Sequence, residues 1–166
     1  MDKHQLAFEH GVGDAFVAWF NALQGRRFAF FGRPAEAPDL TYRDGSDDLH
    51  LEIAGAYYDA QEAALWWGAK RGVADAPRTW SGKDMDEMLI SNINQRLTEK
   101  CAKSYGSNCR LVIYVHPLIT TAEDLELLLR QVRIPVRNPF SEIYLTGFFP
   151  ASSAGSRGGY YVWKLA

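Results

Sequence analysis

Residues 38–56, PDLTYRDGSDDLHLEIAGA, constrain the fold most strongly because they predict a β-hairpin. Asp44-Gly45 lies between two runs of β-branched and apolar residues, and Asp-Gly in that context is a strong short-range hairpin signal. Side chains alternate along a strand, so the two leucines and the isoleucine of LHLEI share one face. Glu52 therefore points to the opposite face, together with the histidine before it and the alanine after it.

Two carboxylates mark this hairpin. Asp39 opens the first strand and Glu52 lies in the middle of the second. One interpretation of Glu52 is an ordinary strand residue that faces solvent. The other is a metal ligand paired with Asp39, because two carboxylates brought together repel unless a cation lies between them. Ligation by oxygen alone suits Mg²⁺ or Mn²⁺.

Composition predicts one globular domain, residues 1–166, long enough to bury a core. The chain is 47% hydrophobic and 23% charged, as is typical of a globular protein. Its formal net charge of −2 provides no global positive field for nucleic acid. Nucleic acid is therefore a candidate partner only through a local basic patch, and charge argues against a tight, non-specific DNA binder.

Other features predict a soluble, cytoplasmic protein without a membrane partner. The two cysteines do not form a CxxC pattern, and we expect both to be reduced thiols, although a disulfide is conceivable. The N-terminus lacks the apolar segment of a signal peptide, and no apolar run approaches the length of a membrane span. Aromatic residues make up 13% of the chain. The tryptophan-rich segment 66–80 is a candidate interface for a protein partner or a homodimer.

Periodicity along the chain predicts the element order α-β-β-β-α-(α)-β-α-β-β. Glycine and proline separate the elements, and the run RLVIYVH is typical of a strand buried on both faces. Gly11 and Gly13 leave open whether the first helix is continuous. The predicted helices are about 3–24, 59–70, 85–105 and 122–132, and the predicted strands about 26–31, the hairpin, 110–116, 140–149 and 159–165.

The long helix predicted over 85–105 carries a lysine in an unusual position. Its apolar residues form one stripe on a helical wheel, and Lys100 lies on or beside that stripe. Arg96 points away from it. An inward lysine either extends its ammonium to the edge of the apolar face or meets a carboxylate. Lys100 is therefore a candidate to lie over an acidic site.

The element order, with Pro38-Asp39 followed by Leu51-Glu52-Ile53-Ala54, resembles the PD-(D/E)XK nuclease superfamily. The resemblance implies an α/β, restriction-endonuclease-like three-layer sandwich, with a mixed central sheet flanked by helices. It implies that Asp39 and Glu52 hold Mg²⁺ or Mn²⁺, and that an acid on the first helix completes the metal site. Asp14 has the family's placement of that acid, and Glu9 is the alternative.

The chain departs from this pattern at Ala54, where the family has a lysine that orients or activates the attacking water. Lys100 is the candidate substitute, which makes Asp39, Glu52 and Lys100 the implied catalytic residues. The implied activity is metal-dependent hydrolysis of a phosphodiester. Gln61 and Glu62 are weaker candidates to support the site.

Two other functions stay open. The first is a nuclease-like fold that has lost catalysis and acts as a binding or regulatory module through protein contacts. The missing lysine, the acidic balance and the tryptophan-rich segment agree with this function. A hydrolase that uses His50 or His116 has little support, because neither residue lies near a nucleophile motif or a zinc-ligand spacing.

Overall fold

A computed structural model describes residues 3–57, 63–65, 68, 72, 84–116, 120–152 and 157–166. Its elements, in chain order, are α1 (Lys3–Gln24), β1 (Ala29–Gly32), β2 (Leu40–Asp44), β3 (Asp47–Ala56), α2 (Met85–Cys101), β4 (Cys109–Val115), α3 (Ala122–Leu128), a 3₁₀ turn (Leu129–Gln131), β5 (Glu142–Phe149) and β6 (Gly159–Lys164).

The six strands form one mixed, open sheet in the order β1-β2-β3-β4-β5-β6. The first three strands form an antiparallel meander. β4 then runs parallel to β3, and β5 runs parallel to β4. β6 returns antiparallel to β5 and forms one edge. Parallel neighbours need crossover connections, and α2 lies in the chain between β3 and β4.

Helices cover both faces of this sheet, so the fold is α/β with three layers. One core cluster joins the apolar face of α1 to Leu49, Leu51 and Ile53 of β3. The other joins α2 and α3 to Ala54 and Ala56, on the opposite face of the same strand. The alternation expected for β3 is therefore confirmed. β4 contributes buried residues to both clusters, as its apolar sequence predicted.

Local sequence signals explain several element boundaries. Gly45 adopts φ +63° in the two-residue loop that joins β2 to β3, a conformation that favours glycine. Gly25 ends α1 with φ +64°. Thr121 begins α3 in a capping box with Asp124, because each side chain accepts a hydrogen bond from the other residue's backbone N–H. The turn expected at Asp44-Gly45 is therefore confirmed.

The structure answers one question that the sequence left open and moves one boundary, since α2 ends at Cys101 and not at 105. Helix α1 is continuous through Gly13, which lies so close to β2 that an added Cβ would be 2.4 Å from Leu40 Cδ1. Asp84 precedes α2, but its side chain makes no capping hydrogen bond. Within the predicted helix 59–70, the described residues 63–65 and 68 are helical. Trp66, Trp67 and Trp80 lie outside the described residues.

Neither cysteine of the chain is in a disulfide; both are buried free thiols. In the part of the chain that the structure describes, no helix combines the length and apolar character needed to cross a bilayer.

Candidate functional site

β3 extends beyond the end of β2, and this step in the sheet positions the candidate site. The last pair between the two strands joins Leu40 to Leu51, whereas β3 continues to Ala56. Asp39, immediately before β2, accepts a hydrogen bond from the backbone N–H of Ile53 through Oδ2, at 2.8 Å. A side chain thus caps the strand where its antiparallel neighbour stops, which brings Asp39 beside the middle of β3.

Glu52 projects from β3 toward α2 and is only 5% exposed. The ammonium of Lys100 donates to Glu52 Oε1 at 2.5 Å, and the Tyr105 hydroxyl donates to the same oxygen at 3.2 Å. Among the described residues, no group donates to the buried Oε2 atom. One carboxylate oxygen is therefore fixed by two donors, while the other has unused capacity to accept a hydrogen bond or a cation.

The electrostatic environment of Asp39 disfavours its ionised form. Burial raises the pKa of Asp39 to about 6, and the nearby carboxylates of Glu52 and Glu9 act in the same direction. The hydrogen bond from the Ile53 backbone and the charge of Lys100 act against this increase. Because burial and the neighbouring carboxylates disfavour the ionised form of Asp39, a bound cation would stabilise that form.

Glu9 of α1 forms the opposite side of this cluster. Its side chain is 7% exposed, and Oε2 accepts a hydrogen bond from Arg33 Nη1 at 2.7 Å. Gln5 donates to its other oxygen at 3.0 Å. The cluster thus combines the three carboxylates of Glu9, Asp39 and Glu52 with the cations Arg33 and Lys100.

Asp14, the helix acid predicted for the metal site, is engaged elsewhere. Its Oδ1 accepts a hydrogen bond from the Tyr42 hydroxyl at 2.7 Å, and its Oδ2 lies 3.0 Å from His10 Nδ1. Five residues of helix separate Asp14 from Glu9, which is a rotation of about 140° around the axis. Because the two acids face different directions, the structure brings Glu9, the alternative, toward Asp39.

Lys100 and Ala54 both line a cavity beside the acidic cluster, with a volume of about 290 Å³. Ala54 is the position where the resemblance would place a lysine. Arg96, one helical turn before Lys100, also lines this cavity, and its Nε donates to the Gly55 carbonyl at 3.2 Å. The helical wheel placed Arg96 on the outward face and missed this contact, because a long side chain can bend back toward the sheet.

The other candidate residues pair with neighbouring side chains or lie outside the described residues. The Thr41 hydroxyl and His50 Nδ1 are 3.0 Å apart. Arg26, a further cation of the hairpin region, pairs with Asp44 and Asp47. Gln61 and Glu62 lie outside the described residues.

The carboxylates do not form a ready-made three-ligand cage. Within the described ranges, no group of three or more His, Cys, Asp or Glu side chains is arranged to hold a metal ion. Mg²⁺, however, commonly binds through one or two carboxylates and keeps several waters or substrate oxygens. The open Oε2 of Glu52 and the raised pKa of Asp39 fit such a two-carboxylate site.

Comparison of the chain with protein-family models, with curated proteins and with solved structures gave no match. The fold class, an α/β protein with a mixed open sheet between helices, therefore rests on the structure itself.

Proposed function

We propose that this protein is a divergent metal-dependent nuclease-like hydrolase, with Asp39, Glu52 and Lys100 as its site. The observation that carries the proposal is the contact between Lys100 and Glu52, where Lys100 also lines the cavity that Ala54 lines. It supplies an ammonium from α2 near the position where the PD-(D/E)XK pattern has its lysine. The order α1-β1-β2-β3-α2-β4 also agrees with the restriction-endonuclease-like arrangement.

The energetics of the cluster support a functional role over a structural one. Burying a carboxylate and an ammonium removes both from water, and their mutual attraction seldom gives a net gain over well-packed apolar residues. Here one oxygen of Glu52 is also left without a donor among the described residues, which adds a desolvation penalty. A second carboxyl, Asp39, is held in an environment that raises its pKa. Such arrangements are typical of functional sites.

Asp39 and Glu52 would hold Mg²⁺ or Mn²⁺. When bound, the ion would supply a Lewis acid for a phosphoryl oxygen and lower the pKa of a coordinated water. Two features suit this ion. Glu52 Oε2 accepts no hydrogen bond from the described residues, and the surroundings of Asp39 disfavour its negative charge unless a cation is near.

The protein's own side chains position charge around the reacting phosphate. Lys100 carries an ammonium held at the site by Glu52 Oε1, where it can stabilise negative charge that develops on phosphoryl oxygens. Tyr105 holds the same oxygen and so keeps Oε2 oriented. Glu9, fixed by Arg33 and Gln5, maintains the negative potential that favours a cation beside Asp39.

Calorimetric titration with Mn²⁺ tests the metal site. We expect saturable binding to the wild type, with and without a short oligonucleotide, and its loss in Asp39→Asn and Glu52→Gln. Glu142→Gln is the matched control, because Glu142 is also a strand glutamate paired with cations but lies in another part of the sheet. Absence of binding in both conditions, or equal binding by all variants, contradicts the proposal. That result would favour a nuclease-like fold that acts as a binding or regulatory module through protein contacts.

A second experiment tests the role of Lys100 by removing this lysine and introducing one at position 54. We expect Lys100→Ala to reduce Mn²⁺-dependent hydrolysis of an oligonucleotide by about 10²–10⁴-fold, the usual contribution of a positioned acid–base group. Adding Ala54→Lys to that variant introduces an ammonium at another residue that lines the same cavity and should restore part of the rate. Melting temperatures control for folding. If hydrolysis is unchanged in a folded Lys100→Ala protein, the assignment of Lys100 is wrong.

A further inference from the structure

The cavity beside the Glu52–Lys100 pair continues along β3 and has aromatic as well as charged walls. Phe8 from α1, Tyr57 after β3, and Arg96 and Lys100 from α2 all line its volume of about 290 Å³. It therefore joins the three structural layers at the point where β3 extends beyond β2. Its size suits a small planar group next to the proposed site of hydrolysis.

Both aromatic side chains are held in place by their neighbours. The ring of Phe8 makes an edge contact with Tyr114, with centroids 5.5 Å apart and an interplanar angle of 86°. The ring of Tyr57 lies against Gly55, where an added Cβ would be 3.0 Å from Tyr57 Cε2. Because residue 55 is glycine and has no Cβ, the tyrosine ring has room to pack at this point of the cavity wall. Fixed aromatic surfaces of this kind stack on unpaired nucleobases regardless of base identity.

The charged wall is also fixed. Arg96 donates through Nε to the Gly55 carbonyl at 3.2 Å and through Nη1 to Glu99 at 2.6 Å. A guanidinium carries N–H groups on three nitrogens, so among the described residues the Nη2 group can still donate to an anion after these two bonds form. Arg96 and Lys100 are four residues apart in α2 and therefore project on the same side of the helix. Two cations on successive helical turns thus line the cavity, together with Glu9, whose charge is paired with Arg33.

We propose that this cavity binds one unpaired nucleotide of a single-stranded nucleic acid, with its base against Phe8 and Tyr57 and a phosphate on Arg96. The substrate class of the hydrolase is then a single-stranded or locally opened strand, an inference that rests on the proposed function. Duplex DNA keeps its base faces stacked inside the helix. The net charge of −2 also provides no broad field for a duplex backbone.

Fluorescence anisotropy with labelled oligonucleotides tests the inference. The probes are single-stranded DNA, single-stranded RNA of the same sequence, and the corresponding blunt DNA duplex, each titrated in EDTA to prevent hydrolysis. We expect the wild type to bind a single strand at least about tenfold more tightly than the duplex. The DNA and RNA probes identify which sugar the site accepts. Equal affinity for single strand and duplex overturns the inference.

Variants of the cavity wall localise the binding. Phe8→Ala should weaken single-strand binding by about 5–150-fold, the range expected for the loss of one stacked base. Arg96→Gln should weaken it less and reduce its salt dependence, because one phosphate contact is lost. Phe31→Ala is the control, since Phe31 is a 58%-exposed aromatic outside this cavity. Gly55→Ala, expected to displace the Tyr57 ring, provides a second variant if Phe8→Ala does not fold. Equal affinities for the cavity and control variants overturn the assignment.

Failure of this inference is distinguishable from failure of the proposed function. Mn²⁺-dependent cleavage of duplex and single strand at equal rates would leave the hydrolase proposal intact and overturn single-strand selection. Single-strand binding that depends on Phe8, without Mn²⁺ binding or cleavage, would support the cavity assignment and overturn the hydrolase.

Discussion

Two strand glutamates, Glu52 and Glu142, are both paired with cations, yet their surroundings differ sharply. Glu142 begins β5 and is 22% exposed; Arg110 donates to one of its oxygens at 2.5 Å and Lys164 to the other at 2.7 Å. Although partial burial acts to raise it, the pKa of Glu142 is lowered because Lys164 and Arg110 donate hydrogen bonds. The Glu52 side chain is 7% exposed, has both donors on one oxygen, and lies beside Asp39, whose pKa is raised.

The difference separates a fully paired carboxylate that water screens from a buried carboxylate that is only partly paired. At Glu142 both oxygens are satisfied and water still screens the charges, so the arrangement has a small, favourable effect. The Glu52 carboxylate is almost fully buried, and one of its oxygens has no donor among the described residues, so its burial has a larger desolvation cost. This contrast supports the site proposed at Glu52.

The largest expected effect is at Lys100. Lys100→Met leaves the buried Glu52 carboxylate without its cation and should lower the free energy of unfolding by about 3–5 kcal/mol. Combining it with Glu52→Leu removes both charges and should return stability to the wild-type level or above it. Urea unfolding monitored by tryptophan fluorescence measures both changes. A loss under about 1 kcal/mol in the single variant would place Glu52 in the same class as Glu142.

Asp39→Asn should change the free energy of unfolding by an intermediate amount and should raise it, whereas Lys100→Met lowers it. The folded-state pKa of about 6 lies above the model value of 3.8, so between these pH values the folded protein holds a proton that the unfolded chain releases. Wild-type stability is therefore lost as pH rises through this window. The variant avoids that loss and should be about 1–3 kcal/mol more stable at pH 7.5.

The measurement for Asp39 is unfolding of both proteins from pH 4 to 8, with the difference in stability plotted against pH. The variant's advantage should shrink as pH falls from about 6 toward 4. An advantage that does not change with pH would show that Asp39 is not held in an unfavourable ionised state.

The smallest effect is expected at Glu142. Glu142→Gln should lower stability by about 0.5–1.5 kcal/mol, and Lys164→Ala by less, because the lysine is 54% exposed. Since the pKa of Glu142 is lowered, its contribution is present at neutral pH and is lost as pH falls through the folded-state pKa, opposite to Asp39. Unfolding of wild type and Glu142→Gln in low and high salt measures this contribution. The loss of stability in the variant should diminish at high salt, because salt screens the ion pair. If Glu142→Gln lowered the free energy of unfolding by more than Lys100→Met does, the contrast drawn between the two glutamates would be wrong.

The sequence by itself determined the local elements and their faces. The Asp44-Gly45 signal placed the hairpin, and strand alternation placed Glu52 on the face away from Leu51. The apolar stripe of α2 also predicted its buried residues, which include Ile93 and Leu97. These features depend on neighbours within a few residues, so the periodicity of one strand or helix is enough to predict them.

Only the tertiary structure decided which charged side chains meet. Periodicity left Lys100 at the edge of an apolar face, and the position of α2 over the sheet brings it to Glu52, 48 residues earlier in the chain. The family resemblance favoured Asp14, whereas the rotation of α1 brings Glu9 toward Asp39 and turns Asp14 to Tyr42. Such contacts depend on how elements cross and where a neighbouring strand ends, and neither is encoded in the period of any single element.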